Sequence, residues 1–136
     1  MDKALNYMSL ARKAGLIELG EEPVGGATRA LKAKLVVVAS DSGDHTWRRA
    51  KSFVAGTDQV CVRVPYTKDE MGQATGRTSL AIAAFTDPSM ALAFVKALPQ
   101  PPQEAVEALE AKTKKQKQLQ KEAQAHKKNV RFGKKK

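Results

Sequence analysis

Residues 35–44 read Leu-Val-Val-Val-Ala-Ser-Asp-Ser-Gly-Asp, an apolar run that ends in a turn of small and polar residues. A run this rich in β-branched side chains is typical of a strand buried on both faces of a sheet. The Ser, Asp and Gly residues favour a turn and a helix start, and the helix is expected to continue through Trp47, Ala50 and Val54. This stretch therefore predicts a buried strand followed by a helix.

Strands and helices alternate on both sides of this unit. Val60, Val62 and Val64 alternate with polar or thiol side chains in a predicted strand that Pro65 ends. Further strands are predicted at residues 16–19 and 80–85, and further helices over residues 2–14, from Glu21, from Thr67 to Thr75 and from Asp87. The order α-β-α-β-α-β-α-β-α predicts an α/β fold, a three-layer α/β/α sandwich with a four-stranded mixed sheet.

Local signals mark where these helices begin and end. Thr67 and Glu70 match a capping box, and Asp87-Pro88 matches an N-cap followed by proline in the first turn. Gly15 and Gly76 suit the left-handed position that closes a helix. In the second helix, Glu21, Glu22 and Pro23 form the first turn, and the expected inward stripe is Val24, Ala27, Thr28 and Leu31. The pair Gly25-Gly26 has two equally weighted interpretations: a close contact with another helix, or the close approach of a ligand backbone.

The charge is concentrated in the last part of the chain. The 136 residues carry a net charge of +10, and residues 103–136 hold eleven basic and four acidic residues, a net +7. We expect a domain over residues 1–98, a proline-rich linker over 99–102 and a basic tail over 103–136. The tail has strong helix formers but few apolar anchors, so we expect it to be a solvated helix or disordered.

Several function classes have little support in the sequence. Cys61 is the single cysteine, and no metal-ligand spacing or phosphate-loop motif occurs. Asp41, Asp44 and His45 share one loop and could form an acid–base site, although such residues normally cap helices. We therefore predict no enzyme activity, no cofactor and no small-molecule substrate. The absence of a signal-peptide pattern and of a long apolar run predicts a cytoplasmic protein without a membrane partner.

The tail is the least ambiguous binding signal in the sequence. Its lysines form a cation that would release counterions on meeting phosphates, and Phe132 beside Arg131 could stack on an exposed base. The alternative is that a lysine-rich end only keeps the protein soluble. The density of charge favours a polyanion, and the predicted contacts in the tail are Arg131, Phe132, Lys134, Lys135 and Lys136.

Residues 4–98 resemble the kink-turn-binding ribosomal-protein superfamily, which includes a large-subunit protein of archaea and eukaryotes and small bacterial paralogues. The resemblance rests on motifs in the same order and spacing as in that family. They are Leu-Ala-Arg-Lys-Ala-Gly at residues 10–15, Gly-Glu-Glu at 20–22, residues 33–41, Val-Pro-Tyr at 64–66, Met-Gly at 71–72, Thr-Gly at 75–76 and residues 82–87. The bacterial paralogues are the nearest match in pattern.

The resemblance implies where RNA would bind. The family uses the first turn of the second helix, with the pattern G-x-N-E-x-x-K, and the loop before the last strand. Here Gly20 matches the glycine, while Glu22, Pro23 and Gly26 replace Asn, Glu and Lys. A carboxylate at position 22 cannot donate a hydrogen bond and repels phosphate. The implied RNA contacts in the domain are Gly20, Glu21, Glu22, Gly25, Gly26, Arg29, Lys32, Arg48, Gly76, Arg77, Thr78 and Ser79.

These patterns together predict a ribosomal-protein-like RNA-binding protein without catalytic activity. Its expected partner is ribosomal or other structured RNA, with association to the ribosome or its assembly. The alternative is a protein-interaction module for a translation or ribosome-assembly factor, in which the RNA face is degenerate. A third hypothesis, a flavodoxin-like enzyme, would require a bound flavin.

Overall fold

The computed structural model describes residues 2–133, and the side chains as far as residue 124. The elements follow the predicted alternation and end in a long additional helix. In chain order they are α1 (Lys3–Ala14), β1 (Ile17–Leu19), α2 (Glu21–Arg29), β2 (Leu35–Val38), α3 (Asp44–Val54), β3 (Val60–Arg63), α4 (Lys68–Thr75), β4 (Ile82–Phe85), α5 (Pro88–Lys96) and α6 (Gln103–Gly133).

The four strands form one mixed sheet in the order β1-β4-β2-β3. Strand β2 pairs in parallel with β3 and antiparallel with β4, and β1 pairs antiparallel with β4. The central strands β2 and β4 are buried at every residue, as their continuous apolar sequences predict. The parallel pair is joined through α3, the crossover helix that such a connection requires.

Helices cover both faces of the sheet. Leu35 and Val37 of β2 face a core that includes side chains from α1, α4, α5 and α6. Val36 and Val38 face the other way, into a smaller core with side chains from α2 and α3. This alternation along one strand confirms the predicted three-layer sandwich.

The predicted helix ends are present. The Thr67 hydroxyl accepts from the Glu70 backbone N–H at 3.1 Å, and the Glu70 carboxylate accepts from the Thr67 N–H at 3.0 Å. Asp87 caps α5 by accepting from the Met90 N–H at 2.9 Å. Gly15 and Gly76 adopt the left-handed conformation that closes α1 and α4.

Leu31 departs from the predicted inward stripe of α2. Val24, Ala27 and Thr28 are buried, but Leu31 is 61% exposed. The reason is that α2 ends at Arg29 and Leu31 has a positive φ of 58°, so the helical spacing stops before it. The prediction of an inward Leu31 is therefore wrong.

The basic segment is also more closely packed than its composition predicts. Ala105 and Leu109 of α6 belong to the core beneath α5, and Thr113 is buried one turn further on. The expectation that this segment has little to bury is therefore wrong for its first half. Leu119, the second leucine of the segment, is 57% exposed.

No helix among the described residues is long and apolar enough to cross a bilayer.

Candidate nucleic-acid interface

The start of α2 is fixed to the end of the sheet by Gly20. Its backbone N–H donates to the Ile82 carbonyl at 3.0 Å, and its own carbonyl accepts from the Val24 N–H at 3.0 Å. Gly20 has a positive φ of 99°, a conformation that favours glycine. The first turn of α2 therefore begins beside the first residue of β4.

The loop between α4 and β4 reaches the same place. The Arg77 N–H donates to the Gly72 carbonyl at 2.8 Å, which folds the loop back onto α4. A β-carbon at Gly20 would lie 3.7 Å from Nη1 of Arg77, so this guanidinium lies against the start of α2. The two segments that the resemblance implies thus form one surface, which we call the α2–loop surface (residues 20–22 and 76–79).

Gly72 allows the loop to lie so close to α4. A β-carbon at this position would be 2.8 Å from the Arg77 carbonyl oxygen and 2.9 Å from the Ser79 backbone nitrogen. Both neighbours are backbone atoms, which cannot turn aside as a flexible side chain can. The conformation of Arg77, Thr78 and Ser79 therefore depends on the absence of a side chain at position 72.

Two arginines outside the predicted set contribute to this region. The Arg12 guanidinium lies 3.2 to 3.4 Å from where a β-carbon at Gly76 would be. Arg49 of α3 forms an ion pair with Glu21 in the first turn of α2. Arg12 belongs to one of the family-like motifs and Arg49 follows the predicted Arg48, but sequence spacing alone places neither beside the loop or the helix start.

Helix α3 packs against α2 at Gly25. A β-carbon at Gly25 would lie 3.2 Å from the Phe53 ring, and the Arg49 guanidinium lies 5.5 Å from the centre of that ring. Gly25 is thus a buried point of contact between helices, the first of its two predicted roles. Gly26 has open space around it, so the structure does not assign it the same role.

The remaining predicted contacts are distributed over several places. Arg48 is exposed on α3 beside Arg49, and Thr78 and Ser79 are exposed in the loop. Arg29 lies in the last turn of α2 and Lys32 beyond it, so both are near the opposite end of that helix from Gly20. The side chains of Arg131 and Phe132, and residues Lys134, Lys135 and Lys136, lie outside the described part of the chain.

The α2–loop surface combines both signs of charge. Glu21 and Glu22 occupy the first turn of α2, where carboxylates interact favourably with the helix dipole. They also oppose an approaching phosphate, but Arg49 pairs with Glu21 and therefore offsets one of the two negative charges. Arg77 lies beside Gly20 and Arg12 beside Gly76, so these two arginines together with Arg49 outnumber the two carboxylates.

Asp41 and Asp44, in the loop considered as a possible acid–base site, have structural roles at helix starts. Asp41 Oδ1 accepts from the Lys68 backbone N–H at 2.8 Å, and Asp44 lies in the first turn of α3. Within the described residues, no group of three His, Cys, Asp or Glu side chains could hold a metal ion. These carboxylates therefore act at helix starts, as Ser and Asp in such turns normally do.

A curated relative shows the family. RNA-binding protein YlxQ of Enterococcus faecium is 32% identical to this chain over 75 residues, which cover 55% of this chain and 72% of that protein. The chain belongs to the YlxQ family. No protein-family model matches the chain. This confirms the coarser part of the predicted resemblance, homology to a protein named as RNA-binding.

Solved structures share the fold of this YlxQ-family chain. A protein of unknown function from Bacillus halodurans superposes with a TM-score of 0.67 at 22% identity, over 74% of this chain and all of that one. The 15.5 kD RNA-binding protein of Giardia lamblia superposes with a TM-score of 0.60 at 17% identity, over 79% of this chain and 87% of that one. At these identities the likeness concerns the fold alone.

Proposed function

We propose that this YlxQ-family protein binds structured RNA of the kink-turn type through the α2–loop surface, without catalysing a reaction. The observation that carries the proposal is the position of Arg77 against Gly20, since it joins the helix start and the loop into one surface, which Arg12 and Arg49 border. The names of the Enterococcus relative and the Giardia structural neighbour support RNA as the ligand. We further propose that the protein acts in the cytoplasm, on ribosomal RNA or during ribosome assembly.

The chemistry of the surface suits a bent RNA backbone. Arg12 and Arg77 present planar guanidinium groups, which can donate two hydrogen bonds to one phosphate. Thr78 and Ser79 are exposed hydroxyl donors and acceptors beside them. Phosphate contacts of this kind fix position, while the hydroxyls can reach base edges in an opened groove.

Helix α6 would add a second, less specific contact. Lys114, Lys115, Lys117 and Lys121 are exposed on it, and a helix of 31 residues extends for about 45 Å at ~1.5 Å per residue. Exposed lysines along such a rod release counterions when they meet phosphates. Arg131, Phe132 and Lys134, Lys135 and Lys136 would prolong the same contact.

Binding to two matched RNA duplexes tests this proposal. One duplex contains a kink-turn, and in the other its sheared G·A pairs are replaced by Watson–Crick pairs. Full-length wild type, Arg77→Gln and the control Lys96→Gln are titrated by fluorescence anisotropy at several salt concentrations. Lys96 is exposed and pairs with Glu110 between α5 and α6, so the control removes one positive charge elsewhere.

The wild type is expected to prefer the intact kink-turn. Arg77→Gln should weaken that binding about tenfold and lower the salt dependence by roughly one phosphate contact, while Lys96→Gln should stay within about twofold. Equal affinity of the wild type for both duplexes, together with no effect of Arg77→Gln, would overturn the proposed site. RNA binding would then depend on the cations of α6 alone.

A further inference from the structure

A cleft lies between α6 and the segment that follows α2. It has a volume of about 380 Å³ and is partly open to solvent. Its lining includes Leu31, Lys34, Asp58, Lys112, Lys115 and Leu119. Because Leu31 follows the C-terminal end of α2 and Gly20 precedes the N-terminal end, the α2–α6 cleft is separate from the α2–loop surface.

Two exposed leucines line this cleft. Leu31 is 61% exposed and Leu119 is 57% exposed. The only other large hydrophobic side chain so exposed among the described residues is Leu10, on α1. Single exposed apolar residues are ordinary, but two that face one depression provide a local apolar surface for a partner.

The backbone at Leu31 strengthens this interpretation. Its φ of 58° lies in the left-handed region, and Leu31 is the only non-glycine residue there among those described. A leucine in this conformation is strained, and glycine or asparagine would be favoured instead. At 61% exposed, this side chain adds little burial to the fold, so the strained leucine has no evident structural purpose.

The charge in the cleft is predominantly positive. Lys112 Nζ lies 3.3 Å from Asp58 Oδ2, and the Lys112 side chain is only 19% exposed. The hydrogen bond and charge of Lys112, and then the charge of Lys34, lower the pKa of Asp58. Lys34 and Lys115 add two positive charges that this pair does not balance.

We propose that the α2–α6 cleft binds an acidic segment of a partner protein that carries an apolar side chain. The apolar side chain would lie between Leu31 and Leu119, and its acidic neighbours would contact Lys34 and Lys115. Apolar burial supplies most of the affinity in such a contact, and charge complementarity orients the segment. This inference goes beyond RNA binding and does not depend on it.

The side chains of the cleft favour a peptide over RNA. RNA that is bound by its bases usually stacks them on aromatic or arginine side chains. The described lining of this cleft contains neither, and offers leucine and lysine in their place. Leucine has no planar face for a base, but it packs well against an aliphatic or aromatic side chain of a peptide.

Selection from a phage-displayed library of random short peptides tests the proposal. The bait is the full-length protein, and the counter-selection uses full-length protein with both Leu31→Gly and Leu119→Ser. The counter-selection removes acidic peptides that bind only to the basic residues of α6, because those residues are unchanged. Leu31→Gly relieves the positive φ, which offsets the greater entropy of glycine in the unfolded chain, so the double variant is expected to melt close to the wild-type temperature.

We expect selected peptides to combine Asp or Glu with one or two large apolar residues. Their affinity should fall about tenfold in the double variant and in Lys115→Glu, and stay within about twofold in Leu10→Ala. Affinity for the kink-turn duplex should be unchanged by the double variant. The RNA measurement separates this proposal from the RNA-binding proposal, since either can fail alone.

Three results would overturn the proposal. The first is that no peptide group distinguishes the wild type from the double variant. The second is that the selected peptides lack acidic residues. The third is that the double variant weakens RNA binding as much as peptide binding, which would assign the cleft to RNA.

Discussion

The guanidinium of Arg49 pairs with the carboxylate of Glu21, and this contact ties α3 to the first turn of α2. The adjacent Glu22 forms no ion pair within the described residues. The α2–loop surface therefore contains one carboxylate that a nearby arginine neutralises and one exposed carboxylate that has no such partner within the described residues. If RNA binds this surface as proposed, we expect Glu22 to limit the affinity more than Glu21 does.

Replacing Glu22 should strengthen RNA binding. Glu22→Gln removes a repelling charge and supplies an amide that can donate, so we expect affinity for the kink-turn duplex to rise about threefold to tenfold. Glu107→Gln is the control, because Glu107 is exposed on α6 and the charge change is the same. An equal gain in both variants would indicate a general charge effect. Fluorescence anisotropy at one fixed salt concentration measures the difference.

A pair of glycine substitutions tests the packing beneath the loop. Gly72→Ala forces a β-carbon to within 2.8 Å of the Arg77 carbonyl oxygen, so it should cost about 1 to 3 kcal/mol of stability and weaken RNA binding. Gly26→Ala places a β-carbon in open space in α2 and should stabilise the protein by about 0.4 to 1 kcal/mol. Urea unfolding of both variants gives the comparison. Equal stabilities would contradict the close contact at Gly72.

Two leucines of α6 should differ sharply in their effect on stability. Leu109 is fully buried and Leu119 is 57% exposed, although they lie on one helix. Leu109→Ala should cost about 2 to 5 kcal/mol, and Leu119→Ala should change stability by less than about 0.5 kcal/mol. Thermal and urea unfolding measure both. A small effect of Leu109→Ala would mean that α6 does not pack on the domain.

The same contrast shows what the sequence could and could not predict. Strands β2 and β4 were predictable because a continuous apolar run indicates a strand that is buried on both faces. The Thr67–Glu70 capping box was predictable because its two partners are only three residues apart in the sequence. Leu109 lies in a segment dominated by charged residues, and it is buried because α6 packs against α5. The local sequence around Leu109 does not indicate this contact. Tertiary packing therefore decides the first half of α6.

The candidate site shows a similar division. The resemblance pointed to Gly20 and the 76–79 loop, and the structure places these two segments side by side. Arg12 and Arg49 were missed because their neighbours at Gly76 and Glu21 are distant in sequence. Leu31 was expected to be buried since its spacing is helical, but α2 ends before it. Contacts between elements are the part that a single sequence does not specify.

The hydrogen bond between Asp2 and Tyr66 should make the stability of the fold depend on pH at both low and high pH. The Tyr66 hydroxyl donates to Asp2 Oδ1 at 2.7 Å, and Asp2 also caps α1 by accepting from the Ala4 N–H. The bond from Tyr66 lowers the pKa of Asp2 below 3.8, its ordinary value. Burial, and then the bond to Asp2, raise the pKa of Tyr66 above its ordinary value of 10.0.

The two shifts act at opposite ends of the pH range. A lowered carboxyl pKa stabilises the fold above pH 3.8, and this contribution is lost as the pH falls through the folded value. A raised phenol pKa stabilises the fold below pH 10.0, and this contribution is lost as the pH rises beyond it. Tyr66→Phe should therefore flatten the pH dependence of stability at both ends of the range. The control Tyr7→Phe, at a half-buried tyrosine of α1, should give the same profile as the wild type. Urea midpoints measured from pH 3 to 11 test this, and an unchanged profile in Tyr66→Phe would show that the bond does not couple titration to folding.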